Sequence, residues 1–443
     1  MQPILALKKY KKKNIAIYGM GLTGCSVAKV FKKSKIKTYN WDDSFAIRKK
    51  IKTQNFSLNK FWLSKSKIDH IVLSPGININ NCKIKKYLKK NFKKIITDID
   101  LFFELNKGAR IIAITGTNGK STTCKIIEKI LNTAGYKAKT VGNIGNPILS
   151  TGDFKKNYFY ILELSSYQLE YSKLIRFKHA AILNISPDHL DRHKSIRNYS
   201  LIKSKIFSAQ KNSDYAYINS SNQYSYLIEN AHKDKKIKSK LIKVDSFKLK
   251  HLYKKIKNHY FKSLGNKENL SFAYFIAKKI NINDKIIIKA LNNFKGLPHR
   301  QQIIFSNNRF KCVNDSKATS FDACSQSLST FSKIYWIVGG LPKSKDKFYI
   351  KKVEKNIIKA FIIGKSPNFF VKKIKKKIPY KISHNIDNAL KDIFNETKKK
   401  KESQLTILLS PGAASYDQFN NFEERGDYFK SLILKKLKKK IYA

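Results

Sequence analysis

The sequence predicts an α/β fold of three domains. These are a Rossmann-like N-terminal domain, a central P-loop ATPase-like domain on a parallel sheet, and a C-terminal Rossmann-like α/β domain. Three observations carry the prediction. A strand-type apolar run, Ile111–Ile114, breaks at Gly116 and Gly119 and resumes with helical spacing from Cys124 to Leu131. A second strand, glycine turn and helix follow one another around Gly19, Gly21 and Gly24. Strand-type and helix-type runs then alternate along 443 residues, a length that favours about three domains.

The first domain spans 1–98. Asn14–Tyr18 reads as a strand, and a helix runs from the glycines to about Phe31. Lys37–Trp41 reads as a second strand ending in Asp42-Asp43. This is a βαβ unit of dinucleotide type; alone it supports binding of a nucleotide or diphosphate and does not assure NAD. A third strand, His70–Leu73, ends in Ser74-Pro75-Gly76, at the strand end where open α/β sheets take ligands.

The central domain, 99–296, opens with Ile99–Leu105 and the loop Gly116-Thr117-Asn118-Gly119-Lys120-Ser121-Thr122. The loop is shorter than the general G-x-x-x-x-G-K-[ST]. Its strand–turn–helix setting still lets backbone N–H groups face phosphates. Lys120 would place a point charge on the β- and γ-phosphates, and Ser121 or Thr122 a hydroxyl on Mg²⁺. The chemistry implied is ATP with Mg²⁺; a plain turn with a chance Gly-Lys-Ser is the alternative. Val141–Pro147 is a Gly-rich loop. Tyr158–Ser166 is a strand carrying Glu163, and Ala180–Ile185 is a strand followed by Ser186–His193. A helix from Ile196 to Ala209 holds Lys203, residues 210–262 give few signals, and Asn266–Asn269 precede an apolar helix to Ile280.

Gly296-Leu297-Pro298-His299-Arg300 reads as a hinge into the third domain, 297–443. That domain holds Asn314–Ser320, the strand Ile334–Val338 before Gly339–Lys343, and the strand Leu405–Leu409 before Ser410-Pro411-Gly412.

Composition sets bounds. A hydrophobic content of 42% supports a folded chain. No apolar run reaches the roughly 18 residues that span a bilayer, and the lysine run after Leu7 does not make a secretory signal. Five scattered cysteines without C-x-x-C fit a reduced cytoplasm and offer no zinc site. The net charge of +61 would ordinarily suggest nucleic acid. Here the excess is mostly lysine, spread along the chain beside abundant Ile and Asn, all three encoded by A/T-rich codons. No specific nucleic-acid function is expected.

Gly116–Thr122 taken with Glu163, Asp188-His189 and Gly296–Arg300 resembles the Mur ligases. These are ATP-dependent amide-bond ligases of peptidoglycan synthesis, with folylpolyglutamate synthases as distant cousins. Leu162–Glu170, Asn314–Thr319, Val141–Gly145 and Ser415–Phe419 point within the family to its D-glutamate-adding branch. The resemblance covers the whole chain in order. It implies a cytoplasmic monomer without membrane insertion that joins D-glutamate to UDP-N-acetylmuramoyl-L-alanine through an acyl phosphate.

The roles it implies can be placed residue by residue. Gly116, Thr117, Asn118, Gly119, Lys120, Ser121 and Thr122 would hold the triphosphate, with Asn269 near adenine. Arg300 and Asp315 would also serve ATP, and Lys317 its γ-phosphate. Ser121 and Glu163 would hold one Mg²⁺. His189 and Lys203 would serve a second, Lys203 as its carbamate, because an ammonium cannot ligate a cation. Leu22, Thr23, Ser74, Pro75 and Gly76 would take the UDP portion, with Asp42 near uracil and Asn143 near the MurNAc-alanine portion. Lys343, Thr319, Ser415 and Phe422 would form the D-glutamate pocket.

Alternatives stay open at several positions. Lys205 competes with Lys203; His189 also reads as a loop residue capping backbone, Glu163 as a solvated strand end, and Asp42 as a turn residue. The family often has an arginine soon after that aspartate, where Ser44 stands, and a histidine where Gly265 stands. Two other readings of the chain compete. One is a sister ligase, or a folylpolyglutamate-synthase-like ligase, with another amino acid. The other is a nucleotide-gated polyanion-binding protein, which leaves Glu163, His189 and Asp315 without work.

Overall fold

The structure is a computed structural model and describes residues 7–51, 68–106, 108–142, 147–150, 157–173, 175–342, 353–375, 377–398 and 404–438. Asn143 and Lys343 lie outside the described residues. Among the described residues the strands form three sheets. The chain divides into two compact units: Met1–Ile256 with Glu268–Asn292, and Lys257–Lys267 with Asn293–Ala443.

The first unit carries two parallel sheets. In the N-terminal one, β1 (Ile15–Tyr18), β2 (Thr38–Trp41), β3 (His70–Leu73) and β4 (Ile95–Ile96) lie in the order β2-β1-β3-β4. Alternation along β1 sorts its side chains: Ile15 and Ile17 join one buried cluster, Ala16 and Tyr18 another. The second sheet contains β5 (Arg110–Thr115), β6 (Lys137–Gly142), β7 (Tyr158–Glu163), β8 (His179–Ile182), β9 (Tyr215–Asn219) and β10 (Lys240–Val244). Its order, β10-β9-β8-β5-β7-β6, places the P-loop strand at the centre. Ala113 and Leu162 of this sheet belong to the same buried cluster as Ile15 and Ile17 of the first, so the two sheets share a core. The helix Asp98–Leu105 between them starts at a capping box of Thr97 and Asp100, which satisfies its first amides.

The lysine-rich stretch after residue 210 is ordered. It contributes β9, the helix Ser225–Asp234 and the edge strand β10. Lys240 and Lys243 of β10 are exposed while Val244 is buried, so the lysines mask a half-buried edge strand.

The second unit has one six-stranded sheet of β11 (Gln302–Ser306), β12 (Phe310–Asn314), β13 (Ile334–Gly339), β14 (Ile357–Ile363), β15 (Tyr380–His384) and β16 (Leu405–Leu409). The order is β11-β12-β16-β13-β14-β15, parallel except for the β11–β12 pair. Both faces are covered: Trp336 and Val338 enter one core, Tyr335 and Ile337 the other. No helix among the described residues is long and apolar enough to cross a membrane.

Candidate active site

The site is built where β5 ends. Gly116 has φ +153° and Gly119 φ +82°, the latter in the left-handed region that glycine enters without a Cβ penalty. Gly119 is the N-cap of the helix Lys120–Thr133 and brings no side chain to cap it. That leaves the positive end of the helix dipole at the loop. The loop is anchored on the segment after β8. Thr117 N donates to Asn184 O at 3.0 Å and Asn118 N to Asn184 Oδ1 at 2.8 Å. Ser186 N donates to Thr117 Oγ1 at 3.0 Å. Asn269 seats against Gly119: its Oδ1 accepts from Thr123 Oγ1 at 3.2 Å, and a Cβ on Gly119 would lie 2.1 Å from it.

Two lysines converge on one carbonyl. Lys120 Nζ donates to Gly116 O at 2.8 Å and Thr117 O at 2.7 Å. Lys203 Nζ donates to the same Gly116 O at 2.9 Å and to Thr115 Oγ1 at 3.2 Å. Lys203 is 1% exposed. Burial drives its ammonium well below the ordinary lysine range, and the Lys120 charge adds to the effect. Lys205 points elsewhere, donating to Glu170 O at 2.7 Å and Ser172 O at 3.3 Å. Of the two candidates, Lys203 reaches the phosphate loop.

Glu163 is the last residue of β7, is buried, and lies in register with Ile114 of β5 and Gly142 of β6. Ser121, also buried, is on the first turn after the loop. Among the described residues no three His, Cys, Asp or Glu side chains group as a metal site. A hydroxyl and a single carboxylate nevertheless suit Mg²⁺, which keeps waters and takes phosphate oxygens as its remaining ligands.

His189 has φ +55° and is held by Tyr167, whose hydroxyl lies 2.8 Å from Nδ1, and by Asp188, 3.4 Å from Nε2. Behind it, His193 Nε2 lies 3.0 Å from Ser166 Oγ. Arg192 of the same turn pairs with Glu170 at 2.7 Å and donates to Ile77 O at 2.8 Å and Gly76 O at 3.3 Å. It thereby ties this turn to the Ser74-Pro75-Gly76 loop of the first sheet.

That loop closes on the glycine turn. Ser74 Oγ donates to Gly19 O at 2.6 Å, and a Cβ on Gly24 would lie 2.0 Å from Gly19 O. Gly24 is therefore required for close packing, while Leu22 and Thr23 open the helix Leu22–Lys33, Leu22 being 76% exposed. Asp42 accepts from Met20 N at 2.7 Å and Ser44 N at 2.9 Å. Ser44 carries no charge, but Arg48, one helical turn on, donates to Asp42 O at 2.6 Å. Its guanidinium stacks 4.5 Å from the Trp41 ring and 5.6 Å from that of Phe45. Arg48 stands six residues after the aspartate, on the helix Phe45–Ile51, beyond the position where the family's arginine is expected.

In the second unit, Asp315 is buried. Its carboxylate accepts from Gln301 N at 3.1 Å, Ser327 Oγ at 2.5 Å and Ser410 Oγ at 2.9 Å. Burial pushes it up to about 6, opposed by these bonds and by Arg300. Lys317 lies over the Phe422 ring at 3.6 Å. Ser415 is buried and Thr319 half-buried, on the loops after β16 and β12.

Known proteins resemble the chain along its length. Residues 13–96 match the model of the Mur ligase MurD-like N-terminal domain, and residues 114–286 that of the Mur ligase middle domain. UDP-N-acetylmuramoylalanine–D-glutamate ligase of Rickettsia bellii is 37% identical over 95% of this chain and 97% of its own. The protein of the same name from Buchnera aphidicola is 36% identical over 96% of this chain and 98% of its own. Among solved structures, MurF from Acinetobacter baumannii aligns with a TM-score of 0.59 at 14% identity, covering 76% of this chain and 79% of that one. MurC from Thermotoga maritima aligns at 0.55 and 13%, covering 96% and 99%. Both share the fold.

Proposed function

The chain belongs to the Mur ligase family, and on that premise we propose that it joins D-glutamate to UDP-N-acetylmuramoyl-L-alanine with cleavage of ATP to ADP and phosphate. The relatives of that name and the motifs shared with the D-glutamate-adding branch support this reading. The observation that carries the chemistry is the pair of amines on Gly116 O, one a lysine whose burial disfavours its ammonium form at the foot of a phosphate loop.

The steps follow from charge and position. A carboxylate oxygen of the alanine attacks the γ-phosphorus and the bond to ADP breaks, giving an acyl phosphate. The D-glutamate nitrogen then adds to the carbonyl carbon, loses a proton to solvent or a nearby base, and phosphate leaves with its electron pair. Positioning and charge neutralisation supply most of the catalysis. Lys120 and the loop amides hold the triphosphate, and Asn269 fixes the loop at Gly119. Ser121 and Glu163 would hold one Mg²⁺, and His189 and Lys203 a second, to supply positive charge against the phosphates. As its carbamate, formed from the neutral amine and CO₂ with loss of a proton to solvent, Lys203 would offer the anionic oxygen such a cation needs. Leu22, Thr23, Ser74, Pro75 and Gly76, with Asp42, hold the UDP end, and Arg192 links that loop to the His189 turn.

Transfer of ¹⁸O tests the acyl phosphate. With both oxygens of the alanine carboxylate labelled, one ¹⁸O should appear in each released phosphate. Unlabelled phosphate would exclude this route.

A further inference from the structure

Arg425 opens the long helix Phe422–Lys438 and is 1% exposed, one of the largest fully buried side chains of the molecule. Its Nε donates to Ser316 Oγ at 3.0 Å, and Nη2 to Ser316 O at 2.8 Å and Ala413 O at 3.1 Å. The remaining nitrogen, Nη1, is buried without an acceptor and aims at Gly340, where a Cβ would stand 3.3 Å away. Ser316, Ala413 and Gly340 follow β12, β16 and β13, three adjacent parallel strands. One guanidinium therefore gathers three loops at the carboxyl ends of those strands, the position where such sheets take ligands. Two of these loops carry Thr319 and Ser415.

The charge is as informative as the bonds. Buried arginines are ordinarily matched by a carboxylate. No ion pair to Arg425 is formed among the described residues, and Asp417 is the carboxylate whose charge acts on it. Burial moves the guanidinium down to about 10, so it stays a cation at neutral pH. Loops gathered over a buried cation that no carboxylate contacts favour an anionic ligand.

Resting on the functional reading above, we infer that Arg425 is the positioning residue of the acceptor pocket: it sets the three loops and biases the pocket towards an acidic amino acid. The role is indirect, because Nη1 is buried under the loops.

The test compares Arg425→Lys, Arg425→Met and Arg425→Ala by steady-state phosphate release and by ATP binding. Arg425→Met should raise KM for D-glutamate about tenfold or more, with kcat within about threefold and ATP affinity within about twofold. Arg425→Lys, which keeps the charge and loses the fork, should fall between it and the unaltered enzyme. Methylguanidine should restore part of the KM of Arg425→Ala. A fall in kcat at unchanged KM, or equal effects of Lys and Met, would overturn the inference. If Ala or Met fails to fold, the KM-to-kcat split of Arg425→Lys decides by the same criterion. If the unaltered enzyme uses a different amino acid, the functional reading falls; KM for that amino acid in the same variants still decides the role of Arg425.

Discussion

Gly119→Ala probes the loop at its tightest point. Alanine in the left-handed region costs about 1–2 kcal/mol, and Gly119 sits there at φ +82°. The new Cβ would lie 2.1 Å from Asn269 Oδ1, so Asn269 must turn away and lose its bond from Thr123 Oγ1, worth about 1 kcal/mol. The turn that carries this strain is the one that faces the nucleotide, so the cost falls on ATP binding. The sum, about 2–3 kcal/mol, corresponds to a loss of ATP affinity of roughly 30- to 160-fold. Titration calorimetry with ATP and Mg²⁺ measures it directly. Asn269→Ala removes the clashing atom. The double variant should therefore lose less than the two single losses added, by about 1 kcal/mol. A Kd for Gly119→Ala within twofold of the unaltered protein, or strict additivity in the cycle, would refute the reasoning.

Three further outcomes are expected. Lys203→Ala should lose turnover by about 100-fold or more and not recover in high bicarbonate, while Lys205→Ala, whose amine serves Glu170 O and Ser172 O, should stay within a fewfold; near-normal turnover in Lys203→Ala would reject its role. Arg48→Ala should raise KM for the UDP substrate about tenfold at little-changed kcat, and free UMP should inhibit it correspondingly less; an unchanged KM would remove Arg48 from the uracil end. His179, buried against Tyr217 OH at 3.0 Å, is pushed down to about 4 by burial and the neighbouring Lys178. The unfolded chain then binds a proton the folded one refuses, so this stability is present above about pH 6.5 and is lost as pH falls towards about 4. His179→Phe should flatten that acid limb in urea titrations by up to roughly 3 kcal/mol; an identical pH profile would contradict it.

Much of this was legible in the sequence because glycine and apolar period write the phosphate loop and the buried strands directly. Ile111–Ile114, Ile71–Leu73 and Ile407–Leu409 are buried stretches of strand, and their unbroken apolar runs show it. The region after residue 210 was not readable. The lysines of β10 interrupt its pattern, and an edge strand with one solvated face needs only every second residue apolar. Lys203 was placed by a motif, but its burial and its share of Gly116 O depend on how the helix Ile196–Ser204 packs, which no local pattern states. Arg425 was invisible for the same reason. In a chain with 91 Lys and Arg, one more cation carries no signal until its surroundings are known.

The most direct test of the central claim is phosphate release from ATP with UDP-N-acetylmuramoyl-L-alanine, supplying D-glutamate, L-glutamate, L-lysine and diaminopimelate separately. Release with D-glutamate alone is the result predicted. Release with another of the four would keep the phosphate-loop chemistry and contradict the acceptor assigned here; release with none would contradict the ligase itself.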